Sequence, residues 1–368
     1  MPRTLALASA LLLLTLPVSA RPDQTPRPKS WVRVGALPYP TKHAGFAFDP
    51  LRDRVILYGG YNAVCGTWEW DSRTWTCVGL DFGDRVGHRL IFDETRSRVL
   101  FIGVESISLY CTVREYRGNT WLGLSNSAVN RRERFGLAWD SARQRAVLFG
   151  GAPLVGNFAR NTWEWDGTRW NFASETGPLP RWNCAMAYDA ARNKTVLFGG
   201  QDFQGRFFTD TWEWNGTSWH NVPAAPPPQR VDHAMVYSPQ RQLVLIHGGL
   251  VPPLNTSDQT WAWNGTAWSV EINRAPSTLS ADMVYDSLRY RTLLFTNMQP
   301  EQPAVWALPD CPGDANADGA TDFADLNIIL NNFGQPAPLG LPGDLDGNGT
   351  IDAEDLNQVL TYFGLRPC

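Results

Sequence analysis

From residue 31 to residue 309 short apolar or aromatic runs alternate with turn residues, and the runs come in sets of four. One set reads Cys184-Ala-Met-Ala-Tyr-Asp189, Thr195-Val-Leu-Phe-Gly-Gly200, then Thr211-Trp-Glu-Trp-Asn-Gly-Thr-Ser-Trp219. Runs this short, bounded by Gly, Asn and Asp, predict strands joined by hairpins rather than helices. Glycine pairs mark the copies at Gly59-Gly60, Gly150-Gly151, Gly199-Gly200 and Gly248-Gly249; Gly103 stands alone in the second copy and Thr296-Asn297 replaces the pair in the sixth. Closing tryptophans fall at Trp31, Trp75, Trp121, Trp170, Trp219 and Trp268, at spacings of 44, 46, 49, 49 and 49 residues. One such unit cannot close a core alone, so neighbours must stack, and four strands per unit predict a propeller blade.

Six units are present, and the way they end predicts how the ring closes. The sixth, from Ala281 to Asp310, supplies three strand-like runs ending near Ala304-Val-Trp306-Ala-Leu308 and no closing Trp, whereas Ser30-Trp31-Val-Arg-Val-Gly at the other end matches Ser218-Trp219-His-Asn-Val. The expectation is a mainly β fold: a six-bladed propeller over residues 31–309 whose amino-terminal strand completes the last blade and removes an open edge. The double glycine after the second run, the aromatic in the third and the Trp in the fourth resemble kelch-type β-propellers. Asn-Gly and Asp-Gly favour two-residue turns. With Asn215-Gly216 as the turn, Trp212 faces Trp219. The same arithmetic pairs Trp163 with Trp170, Trp261 with Trp268, Trp68 with Trp75, and Arg114 with Trp121. Because these aromatics recur in every unit they read as packing rather than as a sugar platform. The repeated Asp-x-x-Arg, as in Asp189 with Arg192, reads as a solvated hairpin turn.

After Asp310 the chain changes character, with nine acidic residues against the single Arg366. Asp314, Asn316, Asp318, Ala320, Asp322 and Asp325 occupy positions 1, 3, 5, 7, 9 and 12 of a loop with Gly319 at its sharp turn. Asp344, Asp346, Asn348, Thr350, Asp352 and Asp355 repeat the pattern 30 residues later. Hard oxygen donors around a bend, with position 7 giving its backbone carbonyl, predict two Ca²⁺ ions. Each loop leads into one short amphipathic helix, with Leu326, Ile329, Leu330 and Phe333 on one face of the first and Leu356, Val359, Leu360 and Phe363 on that of the second. A helix after each loop but none before it resembles a dockerin type I module over residues 310–368, a small α-helical calcium-binding unit. The resemblance implies docking onto a cohesin-like domain of a scaffold or surface protein. Loop positions 10 and 11, where that family often places Ser-Thr, hold Phe323-Ala324 and Ala353-Glu354. A calcium-stabilised cap that binds no partner is the alternative.

The first 20 residues carry Arg3, an apolar run from Leu5 to Leu16 and the small exit Val18-Ser19-Ala20, which predict a signal peptide and a secreted protein. The run is too short for a membrane span, and residues 21–30 read as a Pro-rich linker. In an oxidising compartment the six Cys can bridge. Cys65 and Cys77 fall nearly opposite across the first hairpin, and Cys311 and Cys368 bracket the tail, whereas the pairing of Cys111 and Cys184 stays open. Of 368 residues 43 % are hydrophobic and 18 % charged, with a net charge of −4, which argues for a large core and against a nucleic-acid partner.

No nucleophile elbow, phosphate loop or His-Glu-x-x-His segment is present, so no catalytic residue is assigned. His88, Cys184 and His233 sit at equivalent strand starts, with His43 one residue off, and read as structural rather than metal-ligating. The first hypothesis is a non-catalytic recognition protein whose propeller loops bind a protein or glycan while the tail tethers it. The second is a carbohydrate-active enzyme, sugar oxidase or glycosidase-like, delivered by that tail. Segments 201–210 and 250–259, which differ between units, are the expected ligand contacts.

Overall fold

A computed structural model describes residues 29–60, 65–79, 87–104, 108–125, 129–153, 159–253, 255–297, 303–338 and 341–364. The predicted signal segment, most of the predicted linker and Cys368 lie outside the described residues. Six antiparallel four-stranded sheets form the blades of one propeller. Blade 4, with strands Ala185–Asp189, Lys194–Phe198, Thr211–Trp214 and Trp219–Val222, is representative. Blade 6 takes its outer strand, Val32–Ala36, from the amino-terminal end, paired with Ala304–Pro309 as the missing closing Trp demands. The first strand of each blade is innermost and lies beside those of its two neighbours, blade 6 against blade 1.

The hairpins depart from the predicted register. Trp214, not Trp212, faces Trp219, and Trp212 faces Asn221. The two-residue turn is Gly216-Thr217, one residue later than Asn-Gly at its centre would give. Gly216 adopts φ +97°, and the Asn215 side chain accepts from the backbone N–H groups of Thr217 (2.8 Å) and Ser218 (2.9 Å). Asn therefore caps the turn instead of occupying it. The same shift pairs Trp165 with Trp170, Trp263 with Trp268 and Trp70 with Trp75. It also sets Tyr116, not Arg114, against Trp121, with ring centroids 5.0 Å apart, so the expected cation–π replacement is an aromatic pair. Cys65 and Cys77 are bridged, and Cys311 is also disulfide-bonded. Cys111 and Cys184 are buried free thiols.

The glycine pairs exist because backbone passes over them. Gly199 and Gly200 have φ of +70° and +91°, and a Cβ on each would lie 2.7 Å from the Arg230 carbonyl oxygen and 2.8 Å from that of Trp182. Between blades the tryptophans are tied by side chains. Trp121, Trp219, Trp268 and Trp31 donate from Nε1 to Thr67, Thr162, Thr211 and Thr260 of the preceding blade at 2.8–3.0 Å. The indoles of Trp170 and Trp75 have no partner, because Val113 and Val305 stand where those threonines stand elsewhere. The Asp-x-x-Arg turn is likewise part of a tie. Asp189 is buried and accepts from the Arg192 backbone (3.1 Å) and from Nε (2.7 Å), while Arg192 reaches Glu213, which in turn accepts from Trp263 of the next blade at 3.2 Å. It is a hairpin turn as expected, but its carboxylate is not solvated.

The tail holds two ten-residue helices, Phe323–Asn332 and Ala353–Tyr362. They share a small core with Ala315, Leu345 and Ile351, in which Ile329 and Val359 are fully buried. The module is seated on the propeller at the end where strands one and two turn. Arg291 Nη1 of blade 6 donates to the Ala317 carbonyl oxygen at 2.7 Å, and Ala317 is fully buried as part of the core that blades 1 and 6 share. Lys29 donates from its backbone to Leu345 at 3.0 Å and Ser30 Oγ to the Asp344 carbonyl, so the end of the predicted linker is held against the second loop.

Candidate functional site

Two places carry chemistry, one at each end of the ring. In the tail loops the carboxylates turn inward because the loop backbone solvates them. Asp325 accepts from Ala315 (2.8 Å) and Asn316 (3.2 Å) on one oxygen and from Asp322 (2.8 Å) on the other, while the Asp322 side chain caps the helix at Ala324. Asp355 and Asp352 repeat this with Leu345, Asp346 and Glu354. Positions 9 and 12 thus double as helix caps, a capping box that the loop pattern concealed. Asp314 Oδ2 accepts from Gly319 and Asp344 Oδ2 from Gly349, but Asp344 Oδ1 is buried and has no partner.

The structure brings Asp344, Asp346 and Asp355 together, their oxygens within 4.8 Å of one another. The first loop has an amide, Asn316, where the second has Asp346. Asn316 and Asn348 accept from the backbones of Asp318 and Thr350, and Ala320 and Thr350 stand at the position that would offer a carbonyl. Burial pushes the Asp344 carboxyl up to about 6, with Asp355 and Asp346 adding to the rise, and holds Asp314 well above the usual carboxylate range. Such an oxygen-only donor set suits a hard divalent cation. The helix faces divide unevenly: Leu330, Phe333, Leu360 and Phe363 stay 53, 47, 53 and 37 % exposed, and Phe323 is 69 % exposed against Phe363, with centroids 4.9 Å apart.

The inner strands enclose a central channel of about 460 Å³, whose lining reaches the turns at Pro50, Glu94 and Ser141 on the tail side. The opposite end of the ring carries a collar of His43, Gly87, Arg134, Asn183, Asp232 and Ser280, each two residues before an inner strand and each left-handed, with φ of 54–73°. Arg134, Asn183 and Asp232 donate from their backbones to Gly87, Arg134 and Asn183 across successive blades at 2.8–3.2 Å. Just inside, four of the six equivalent positions are Gly45, Gly136, Ala185 and Ala234, and the other two are Arg89 and Asp282. The next layer is apolar, with Phe46, Leu90, Leu137, Met186, Met235 and Met283.

Burial pushes the His43 imidazole down to about 3, and the charges of Arg134, Lys42 and Arg89 add to this. Burial raises Asp282 to about 6 while Arg89 and the N–H groups of Met283 and Phe46 restrain the rise. His88 is buried with its Nε2 against the Tyr58 carbonyl at 2.9 Å, and His233, buried edge-on to the Phe198 ring, is among the residues that line the channel. Burial lifts the Cys111 and Cys184 thiols to about 11, which makes both poor nucleophiles. The variable segments at 201–210 and 250–259 lie at this end, where Gln201 bridges Trp182 and Leu250 bridges Val231. The collar escaped the sequence reading because its residues share no side-chain type; the signal was their common spacing before each inner strand.

No protein-family model and no curated protein matches the chain. Among solved structures it is similar to that of YjhT, with a TM-score of 0.58 and 15 % identity, covering 74 % of this chain and 95 % of that one. At this identity the likeness concerns the propeller fold alone. Among the described residues no helix is long and apolar enough to cross a membrane.

Proposed function

We propose that the chain is a secreted, non-catalytic recognition protein in which a kelch-type propeller offers its loops to a protein or glycan and a dockerin-like tail, loaded with two Ca²⁺ ions, tethers it to a cohesin-like domain. The observation that carries this reading is the duplicated apolar patch of Leu330, Phe333, Leu360 and Phe363, left exposed beside two oxygen-lined loops and turned away from the small core that buries Ile329 and Val359. An exposed cluster of this kind marks an interaction surface. The orphaned Asp344 Oδ1 and the crowding of Asp344, Asp346 and Asp355 support a cation there. The ligands are Asp314, Asn316, Asp318, Ala320, Asp322 and Asp325 in one loop and Asp344, Asp346, Asn348, Thr350, Asp352 and Asp355 in the other. The Cys65–Cys77 disulfide is consistent with an oxidising compartment.

The test is calorimetric titration of the full chain with Ca²⁺, followed by binding to the organism's surface fraction with and without chelator. Two ions should bind, and Asp344→Ala should remove one of them. Capture that needs calcium and is abolished by Leu330→Asp with Leu360→Asp supports the reading. Calcium binding with capture indifferent to those substitutions would reduce the tail to a cap.

A further inference from the structure

Blade 6 differs from the other blades in how its outer strand is held. In blades 1 to 5 a hairpin joins the third strand to the fourth, whereas Val32–Ala36 reaches Ala304–Pro309 from the other end of the propeller segment. Pairing strands so distant in the chain costs more loop-closure entropy than a hairpin does. The tail touches this blade at the entry to that strand and at the turn near Arg289, and both contacts run through the backbone of its loops. In the second loop the peptide joining Asp344 to Leu345 faces two ways. Its carbonyl accepts from Ser30 Oγ, immediately before Trp31, and its N–H donates to Asp355 Oδ1 at 2.6 Å. The Leu345 carbonyl accepts from the Lys29 backbone at 3.0 Å, and a Cβ on Gly347 would lie 3.2 Å from the Lys29 carbonyl oxygen.

The first loop repeats the device. The peptide joining Ala317 to Asp318 accepts from Arg291 Nη1 at 2.7 Å and donates to Asp314 Oδ1 at 3.1 Å and Asn316 Oδ1 at 2.9 Å. Gly319 lies so close over Arg289 that a Cβ there would meet its Cα at 2.9 Å, and Arg289 in turn grips Asp53 of blade 1. In each loop, then, one peptide ties a propeller group to side chains assigned above as cation ligands. Those side chains are crowded in the second loop, where Asp344, Asp346 and Asp355 bring oxygens within 4.8 Å of one another and the buried Asp344 Oδ1 has no partner. Carboxylates at this distance repel one another, and a divalent cation among them turns the repulsion into attraction.

We propose that Ca²⁺ in the tail loops closes the propeller: the ion draws the loop carboxylates together, the loop peptides then hold Ser30 and Arg291, and the outer strand of blade 6 is locked in place. The inference rests on the calcium reading above and adds what the ions do to the ring. By linkage, the docked strand raises calcium affinity by the same factor as calcium favours docking.

The test is hydrogen exchange of the full chain with Ca²⁺ and with chelator at equal ionic strength, beside calorimetric calcium titration of the same protein. Chelation should speed exchange in Val32–Ala36 at least about tenfold and leave the inner strands Gly136–Asp140 and Ala185–Asp189 unchanged. Asp344→Ala in saturating Ca²⁺ should reproduce part of that loss while the first loop keeps its ion. Ser30→Ala should still bind two ions, one of them more weakly, and should shrink the difference between the calcium and chelated states at Val32–Ala36. Two bound ions with an effect of chelation confined to the tail helices, or spread equally over all six blades, overturn the closure and leave the calcium reading standing. Ser30→Ala with the affinity and exchange of the parent also overturns it. No calcium binding at all overturns both readings.

Discussion

The junction between blades 4 and 5 and the seam between blades 6 and 1 solve the same packing problem differently. At the first, Glu213 accepts from Trp263 and from Arg192, and Thr211 accepts from Trp268, so each buried indole has a partner. At the seam, Val305 and Ala307 replace the Thr and the Glu, and the indoles of Trp75 and Trp70 have none. The seam relies instead on Phe46 stacked on Phe295 at 4.1 Å and on Asp53 gripped by both Arg289 Nη atoms at 2.6 and 2.7 Å. It also has the tail loop, whose Ala317 is buried there and bonded to Arg291. A regular junction is held by its own repeat. The seam, where strands from the two ends of the propeller segment meet, is held by the added module.

This contrast can be broken from either side. Arg291→Met should have the largest effect, about 3 kcal/mol, because it strips buried Asp286 of a partner and releases Ala317. Hydrogen exchange should then rise in Val32–Ala36 and in the tail before the rest of the ring; uniform exchange would show that the tail does not support the seam. Glu213→Ala should cost about 2–3 kcal/mol by denaturant unfolding, since it leaves Arg192 and the Trp263 indole short of an acceptor. In that variant the seam should exchange as in the parent.

Val305→Thr should supply the acceptor that Trp75 lacks and stabilise by about 1 kcal/mol, while Thr211→Val should cost about the same at the regular junction. If both changes lower the melting temperature, the orphaned indole is not what separates the two junctions. The smallest effect concerns pH. Hydrogen bonds from Arg289 hold the Asp53 carboxyl below its ordinary range, so this pair stabilises above about pH 4 and its contribution is lost as pH falls through the carboxylate range. The pair is partly exposed, so less than about 1 kcal/mol is at stake, and Asp53→Asn should remove that part of the acid dependence.

What the sequence by itself determined is the repeat and its closure. Apolar runs in fours, the glycine pairs and the displaced Trp31 require six stacked units with the amino-terminal strand in the last, because strand burial and edge pairing are written in local period and count. The donor spacing in the tail was equally plain, and of its twelve positions Asp344, Asp346 and Asp355 lie together in the structure. Register was not legible, since Asn215 serves as a cap or as a turn residue with the same neighbours, and only the left-handed Gly216 settles which.

Tertiary structure alone decided the rest. Whether Leu330 and Leu360 face a core or solvent depends on where the second helix lies, and whether Ala317 is a loop residue or a wedge depends on the propeller beneath it. The collar end of the ring sets Lys42, Arg89, Arg134, Asp232 and Asp282, from blades far apart in the chain, within electrostatic reach of one another, which no window of sequence contains because it arises only when the ring closes.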